Sequence, residues 1–297
     1  MDQLQAMRVY RCIVEARGFS AAADRLGSSH SAVSRQLKAL EASLKVQLLN
    51  RNTRGFTLTP AGERYYAACV DVIDRVDRIA PSLAGDAGHA AGTLRATVPH
   101  AIGALEAGQW LPSFLDRYPD IQLDLSCTDR KIDLVSEGFD VALRITPALA
   151  DTTLMARTLL QTDVVLVASP GYLSRHGIAR SPAQLSKHRL IAFSATRSAV
   201  TWTLTSARGE TVDVEADGPL RVDTIAAAHE AVLSGAGVAA FARPTVAPAL
   251  ASGRLVHLLP GWSAGRLGYF ALYPQTRFVS PAVRAFVDHM AEHYRAS

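Results

Sequence analysis

Cysteine is scarce in this chain: Cys12, Cys69 and Cys127 are the only three in 297 residues. They lie far apart, are odd in number and form no CxxC pair, which excludes a disulfide framework and a cysteine-based zinc site. Long apolar runs are also missing, since nothing approaches the ~18 consecutive apolar residues of a membrane span. Asp2, Arg8 and Arg11 interrupt the N-terminal stretch, so no unbroken apolar segment of a secretory signal is present and a cytoplasmic location without a membrane partner is expected. Catalytic spacings fail in the same way. His229-Glu230 begins an H-E pair, but Leu233 stands where a zinc protease needs its second histidine. Gly235-Ala236-Gly237 follows a helical pattern and precedes a strand-like one, the reverse of a dinucleotide loop, and reads as a tight turn. Ser234 lacks the G-x-S-x-G elbow of a nucleophilic serine. These absences point away from an enzyme, a metal or a cofactor.

What the chain does contain is an ordinary apolar fraction, 48%, with 20% charged residues and a mean hydropathy of +0.10. At roughly 100–200 residues per domain, that length suggests two domains or one large one. The net charge of +4 is too small to indicate nucleic acid by itself, but it is unevenly spread. Residues 1–60 hold nine basic against four acidic side chains, while the remainder is close to balanced. The excess positive charge therefore sits in the first fifth of the chain, and the two regions are expected to have different partners.

Within that basic segment, Leu4, Met7, Tyr10, Ile13 and Val14 have the spacing of one helix face. Gly18 ends the pattern. Ser20 is an N-cap for a second short helix, Ala21 to Leu26, and Gly27 supplies a position for positive φ. Ser28 and Ser29 bridge to a third helix with its apolar stripe at Val33, Leu37, Leu40 and Leu44, and with Ser20 these serines are candidate DNA contacts. Two short helices joined by a glycine-started turn are the signature of a helix-turn-helix, and Ala22 and Ala23 are small where such helices cross. His30, Ser31, Ser34, Arg35 and Lys38 share the side opposite the leucines. Hydroxyls, an imidazole and two cations can bond base edges and phosphates, and no carboxylate interrupts them before Glu41. A merely solvated face is the plainer alternative; the turn and the concentrated charge argue for DNA. Residues 45–59 then read as a hairpin, Val46–Leu49 and Phe56–Thr59, whose turn carries Arg51 and Arg54. Arg54 reads as a wing contact to DNA. For Arg51 a structural ion pair is an equal alternative.

Taken together, FSAAA, the L-G-x-S turn, S-A-V-S-R-Q-L, the L-E pair at 40–41 and R-x-x-R-x-x-x-L-T-x-x-G resemble the winged helix-turn-helix of LysR-type transcriptional regulators, without a gap over about sixty residues. The resemblance implies a double-stranded DNA operator as partner. Ser28 departs from a position where the family often has an apolar residue, and Lys45 from one where it usually has glycine.

Thr59-Pro60 starts a further helix, with threonine as N-cap and proline at the first position. Tyr66, Cys69, Ile73, Val76, Ala80 and Leu83 alternate steps of three and four, the seam of a coiled coil. A dimer through this helix is expected, with packing on the chain's own domain as the alternative. Pro81 is expected to kink or end the helix near Ala80, and residues 85–92 to form a hinge.

Beyond residue 92 strand-like runs alternate with helical patterns. The runs are 94–98, 121–127, 141–145, 164–168, 190–193, 238–241 and 269–273; the helical stretches are about 102–118, 132–138, 170–176, 182–187, 224–235, 244–251 and 280–294. That alternation predicts α/β with mainly parallel pairing. LRATVP, WLPSFLDRYPDIQLDL, KIDLVSEGFDVALRI, SPGYL, GAGVAA and PAVRAFVD are similar to the LysR effector-binding domain. The resemblance implies a two-lobed α/β domain of the type 2 periplasmic-binding-protein kind. The expected organisation is then a winged helix-turn-helix at 1–59, a linker helix and hinge at 60–91, and an effector domain at 92–297. Lobe I would take about 92–163 and 267–297, and lobe II about 164–266. A small-molecule effector, acidic or aromatic, would lie in the cleft, where strand ends and helix N-termini favour an anion. By that resemblance its lining is Thr97, Pro99, His100, Ala101, Thr128 and Arg144, faced by Ser194 and Thr224. Arg144 either pairs with an effector carboxylate or ties down its own loop.

Overall fold

The structure, a computed structural model, describes residues 2–52, 55–83, 89–149, 152–194, 200–275 and 279–296. The chain divides into two compact units, residues 1–87 and 88–297.

The first unit opens with α1 (Gln3–Ala16), capped by the Asp2 carboxylate, which accepts the Leu4 and Gln5 N–H groups. α2 (Phe19–Arg25) begins two residues earlier than its serine suggests. Gly18 is the cap, and Ser20 is an exposed residue inside the first turn. Ala22 and Ala23 are buried where α2 meets α1 and α3 (His30–Leu44). Met7, Tyr10, Ile13, Val33, Leu37 and Leu40 fill the core between these helices. The hairpin is tighter than the sequence expectation, its first strand starting three residues later and its second one residue earlier: β1 (Leu49–Asn52) pairs antiparallel with β2 (Gly55–Leu58). Leu48 and Leu49 are drawn into the core, and their N–H groups are taken by Glu41 instead.

α4 (Pro60–Leu83) continues through Pro81 instead of ending near Ala80. Its cap is Thr59, whose hydroxyl accepts the Gly62 N–H at 2.9 Å and donates to the Gln47 carbonyl at 2.8 Å. The first half of the seam is occupied within the unit. Cys69 and Ile73 are buried in the core, and α4 packs along α1. Val72 and Val76 remain exposed.

In the second unit, β3 (Gly92–Val98) lies between β4 (Ile121–Cys127) and β5 (Val141–Thr146), parallel to both. A π-helical turn, Ile102–Glu106, leads into α5 (Ala107–Arg117). The expected helix at 132–138 is a series of turns instead: the Asp133 carboxylate accepts the Val135 and Ser136 N–H groups, and Gly138 turns the chain at φ +72°. β6 (Met155–Ala168) is far longer than the run at 164–168 and links the lobes. Then follow α6 (Pro170–His176), a 3₁₀ turn at Pro182–Lys187, β7 (Ile191–Phe193), the hairpin β8 (Thr201–Ser206) and β9 (Thr211–Glu215), and β10 (Leu220–Val222). The chain continues through α7 (Ile225–Leu233), β11 (Ala239–Ala242), α8 (Arg243–Ala251), β12 (Val256–Leu258), β13 (Trp262–Ser263), β14 (Arg266–Tyr273) and α9 (Pro281–Ala296).

The pairing is mixed, not mainly parallel. β14 runs antiparallel between β5 and β6, while the second half of β6 is flanked antiparallel by β11 and β12. Residues 155–163 of β6 thus belong to one lobe, with β14, β5, β3 and β4, and residues 164–168 to the other. The second crossing runs beside the first: Ala264 N–H donates to the Val164 carbonyl, and Val164 N–H to that of Gly265. Each lobe buries its own core, one built around Trp110, Phe114 and Phe286, the other around Leu166, Tyr172 and Leu204 and a second cluster at Val232 and Phe241.

Candidate nucleic-acid interface and effector cleft

α3 presents an exposed polar face. Ser31, Arg35 and Lys38 are exposed, as are Ser28, Ser29 and His30 at its entry; Ser34 is half-buried. Ser29 is the N-cap, its hydroxyl accepting the Ala32 N–H at 3.2 Å and lying 3.1 Å from the Ser31 hydroxyl. His30 rests against Phe19, ring centroids 5.8 Å apart, which holds the imidazole beside the start of the helix. The face carries no carboxylate up to Glu41, and the Glu41 side chain is turned to the Leu48 and Leu49 N–H groups at 2.8 and 3.2 Å. Glu41 therefore fixes the hairpin to α3, a role that only the L-E pair could have suggested from sequence. Gly62, the last glycine of the motif, has a comparable task. A Cβ there would lie 2.1 Å from the Leu48 carbonyl, and its own carbonyl accepts the Tyr10 hydroxyl at 3.0 Å. At the hairpin tip Arg54 lies outside the described residues, and Arg51 is placed by its backbone, paired with Phe56.

The effector-cleft candidates fall into two groups, one per lobe. In lobe I the ends of β3 and β4 are tied together: Thr128 N–H donates to the Val98 carbonyl, and the Asp129 carboxylate accepts the His100 N–H at 3.2 Å. Thr97 and Ala101 are buried along with Pro99, while His100 and Thr128 are half-buried. The Thr97 hydroxyl is buried with no hydrogen-bond partner among the described residues. Arg144 sits two residues past the Thr97–Ala142 strand pair and is half-buried. Burial pushes its pKa down and the nearby Asp129 pushes it up. One guanidinium N–H donates to the Leu143 carbonyl at 2.7 Å, and no carboxylate among the described residues lies within ion-pair distance. Asp129, which sequence reading passed over, thus both shapes the loop and faces the arginine.

In lobe II, Ser194 N–H donates to the Val222 carbonyl, and Thr224 caps α7, its hydroxyl accepting the Ala227 N–H at 3.3 Å. These two residues therefore stand at adjacent ends of β7 and β10.

Comparison with known proteins agrees with both halves of this architecture. Residues 4–63 match the family described as bacterial regulatory helix-turn-helix protein, lysR family, and residues 87–295 match the LysR substrate binding domain. The chain belongs to the LysR family of transcriptional regulators. The HTH-type transcriptional regulator PtxR of Pseudomonas aeruginosa is 34% identical over 98% of this chain and 92% of its own length. The structure of CrgA, a LysR-type transcriptional regulator from Neisseria meningitidis, aligns with a TM-score of 0.62 at 28% identity, covering 98% of each chain. The full-length structure of AphB, a Vibrio cholerae virulence activator, aligns at 0.60 and 28% identity over 97% of this chain and 98% of that one. As a LysR-family member the chain is a DNA-binding transcriptional regulator with an effector-binding domain, not an enzyme. No helix among the described residues is long and apolar enough to cross a membrane.

Proposed function

We propose that this LysR regulator binds an interrupted dyad operator as a homodimer or tetramer in the cytoplasm, and that a small acidic effector in the interlobe cleft modulates it. The observation that carries the DNA half is the exposed face of α3, cationic at Arg35 and Lys38 and free of carboxylate until Glu41. In this reading Ser31, Ser34 and Arg35 meet base edges, while Lys38, the residues at the helix entry and the wing arginines meet phosphate. Two α3 helices related by a dyad would enter successive major grooves, about one helical turn apart. The test is a gel-shift titration on DNA upstream of the protein's own gene and its neighbours. Salt-sensitive, site-specific binding is expected, and Arg35→Ala should weaken the specific complex by about 1–3 kcal/mol relative to random DNA. Equal losses on both would make Arg35 a phosphate contact.

The effector half rests on two features at neighbouring strand ends: a buried hydroxyl at Thr97 and a half-buried guanidinium at Arg144, which among the described residues have, respectively, no hydrogen-bond partner and no carboxylate within ion-pair distance. Both conditions are costly until a ligand supplies an acceptor. A carboxylate binding Arg144 in bidentate fashion satisfies the charge, and one of its oxygens accepts from Thr97. Thermal-shift screening of the full chain with small organic and aromatic acids should find stabilising ligands. Arg144→Ala should abolish that response and leave DNA binding intact; an undiminished response assigns Arg144 to its own loop.

A further inference from the structure

Away from both sites, the one buried carboxyl among the described residues is Glu106, at the end of the π-helical turn. It is 1% exposed and has no cationic partner among the described residues. Three hydroxyls converge on it. Thr245 donates to Oε1 at 2.7 Å, Tyr269 to the same oxygen at 3.1 Å, and Tyr294 to Oε2 at 2.8 Å. Glu106 is the last residue of this π-helical turn, a kind of turn frequent at functional sites.

The three donors come from different lobes. Tyr269 on β14 and Tyr294 on α9 belong with Glu106 in lobe I. Thr245 is on α8, which packs on β11 and β6 of lobe II. Thr245 is itself 3% exposed, so this contact is sealed from water on both sides. We propose that Glu106 and Thr245 form a proton-linked latch between the two lobes, tightened by acid and loosened by base.

The sign follows from burial. Desolvation pushes the Glu106 carboxyl pKa up, and the three hydroxyl bonds only partly oppose it. A lobe movement that draws α8 away removes one donor and admits water, which returns the carboxyl towards its ordinary range. The latched state therefore holds its proton more tightly than the opened one. Linkage then makes opening easier as pH rises, by up to tenfold per pH unit over the interval between the two pKa values, and constant above it.

The other titratable groups facing this cage are few. Tyr269 and Tyr294 are both raised by burial and by Glu106 itself, so they stay protonated. His293 lies beside the Tyr294 ring, its pKa lowered by burial and by His289. Cys127 of β4 touches the π turn at Gly103, and burial raises its thiol. Among the described residues of α8, Thr245 is the one that hydrogen-bonds the carboxyl.

The test is amide hydrogen exchange of the full chain from pH 5 to 9, read at α8 (residues 243–251) with α1 (residues 3–16) as internal control, each rate divided by that of the matching free peptide. Wild-type α8 should open progressively more often as pH rises, up to tenfold per unit, then level off. Glu106→Gln keeps the shape and the acceptor but cannot titrate, so its α8 should be protected equally at every pH. Thr245→Val, which removes only the lobe II hydroxyl, should raise α8 opening several-fold at pH 5 and leave α1 unchanged. A pH-independent wild-type α8, a slope in Glu106→Gln equal to wild type (which would assign it to a histidine, His293 beside Tyr294 or His257 facing Arg243 of α8), or a Thr245→Val variant as protected as wild type each overturns the latch. Should Glu106→Gln fail to fold, the wild-type slope and Thr245→Val decide it.

Discussion

At the scale of single residues, Lys45 is the clearest case of a position where side chain and backbone disagree. It caps α3 at φ 53° and ψ 31°, in the left-handed region, with its own side chain exposed. A residue with a Cβ loses about 1–2 kcal/mol there, whereas glycine adopts the conformation freely. Glycine gives back about 0.5–1 kcal/mol through the greater freedom of the unfolded chain. Lys45→Gly should therefore stabilise the protein by about 1 kcal/mol, seen as a higher melting temperature of the N-terminal unit, and an unchanged or lower one would show that the helix end carries no strain. The departure of Lys45 from the family's glycine was visible in the sequence; that it costs backbone strain and not packing required the dihedral angles. Ser20 makes the opposite point. Serine is a good cap by composition, yet Gly18 takes that role because Phe19 already turns inward to meet His30 and Phe56. Glu106 was illegible for a different reason, since its three partners lie 139 to 188 residues away.

At the scale of elements, local periodicity found most of the helices and those strands that are apolar on both faces. It failed where a tertiary partner sets the outcome. β6 begins nine residues before its apolar run because β14 pairs with the amphipathic part from Met155 onward. The parallel expectation failed on the same strand: a run buried on both faces reads alike whichever way its neighbours point. The β8–β9 hairpin did carry a signal, alternating Trp202 and Leu204 inward around a turn at Gly209, but neighbouring threonines and charges diluted it. Between α3 and the hairpin, the element that matters is Glu41, which holds the strand entry at Leu48 and Leu49. Each such charged hydrogen bond contributes about 1.5–3 kcal/mol and leaves a buried N–H unpaired when removed. Glu41→Ala should lower the melting temperature by several degrees and weaken specific and random DNA alike, because it loosens the wing without touching a base-reading side chain. Glu41→Gln, which keeps an acceptor for both N–H groups, should recover more than half of each loss. An Ala variant with wild-type stability and DNA affinity would remove Glu41 from that role.

At the scale of the whole molecule, the question is what pairs two chains. The seam along α4 suggested one uniform stripe from Tyr66 to Leu83, but the stripe divides. Cys69 and Ile73 are consumed by the core of their own unit, where burial raises the Cys69 thiol pKa to about 11. Val76 of the seam, and Val72 one turn before it and outside the expected stripe, are exposed at 37% and 38%. A helix that leaves two β-branched apolar residues in water over successive turns gains by covering them, and a second copy of the same helix presents a matching pair. If dimerisation runs through this stretch, a double substitution of Val72 and Val76 by lysine places like charges opposite one another, where each pair costs stability and the lost apolar contact adds to it. Because neither side chain belongs to the unit's core, the monomer should keep its circular dichroism spectrum and melting behaviour. Sedimentation velocity should then show at least a halving of the mass at micromolar concentration. Operator affinity should fall with it, since two linked heads bind a dyad more tightly than one free head does by the effective concentration that the linkage supplies. A folded double variant of unchanged mass would move the pairing surface off α4, and the dyad would then have to be bridged by the effector domains.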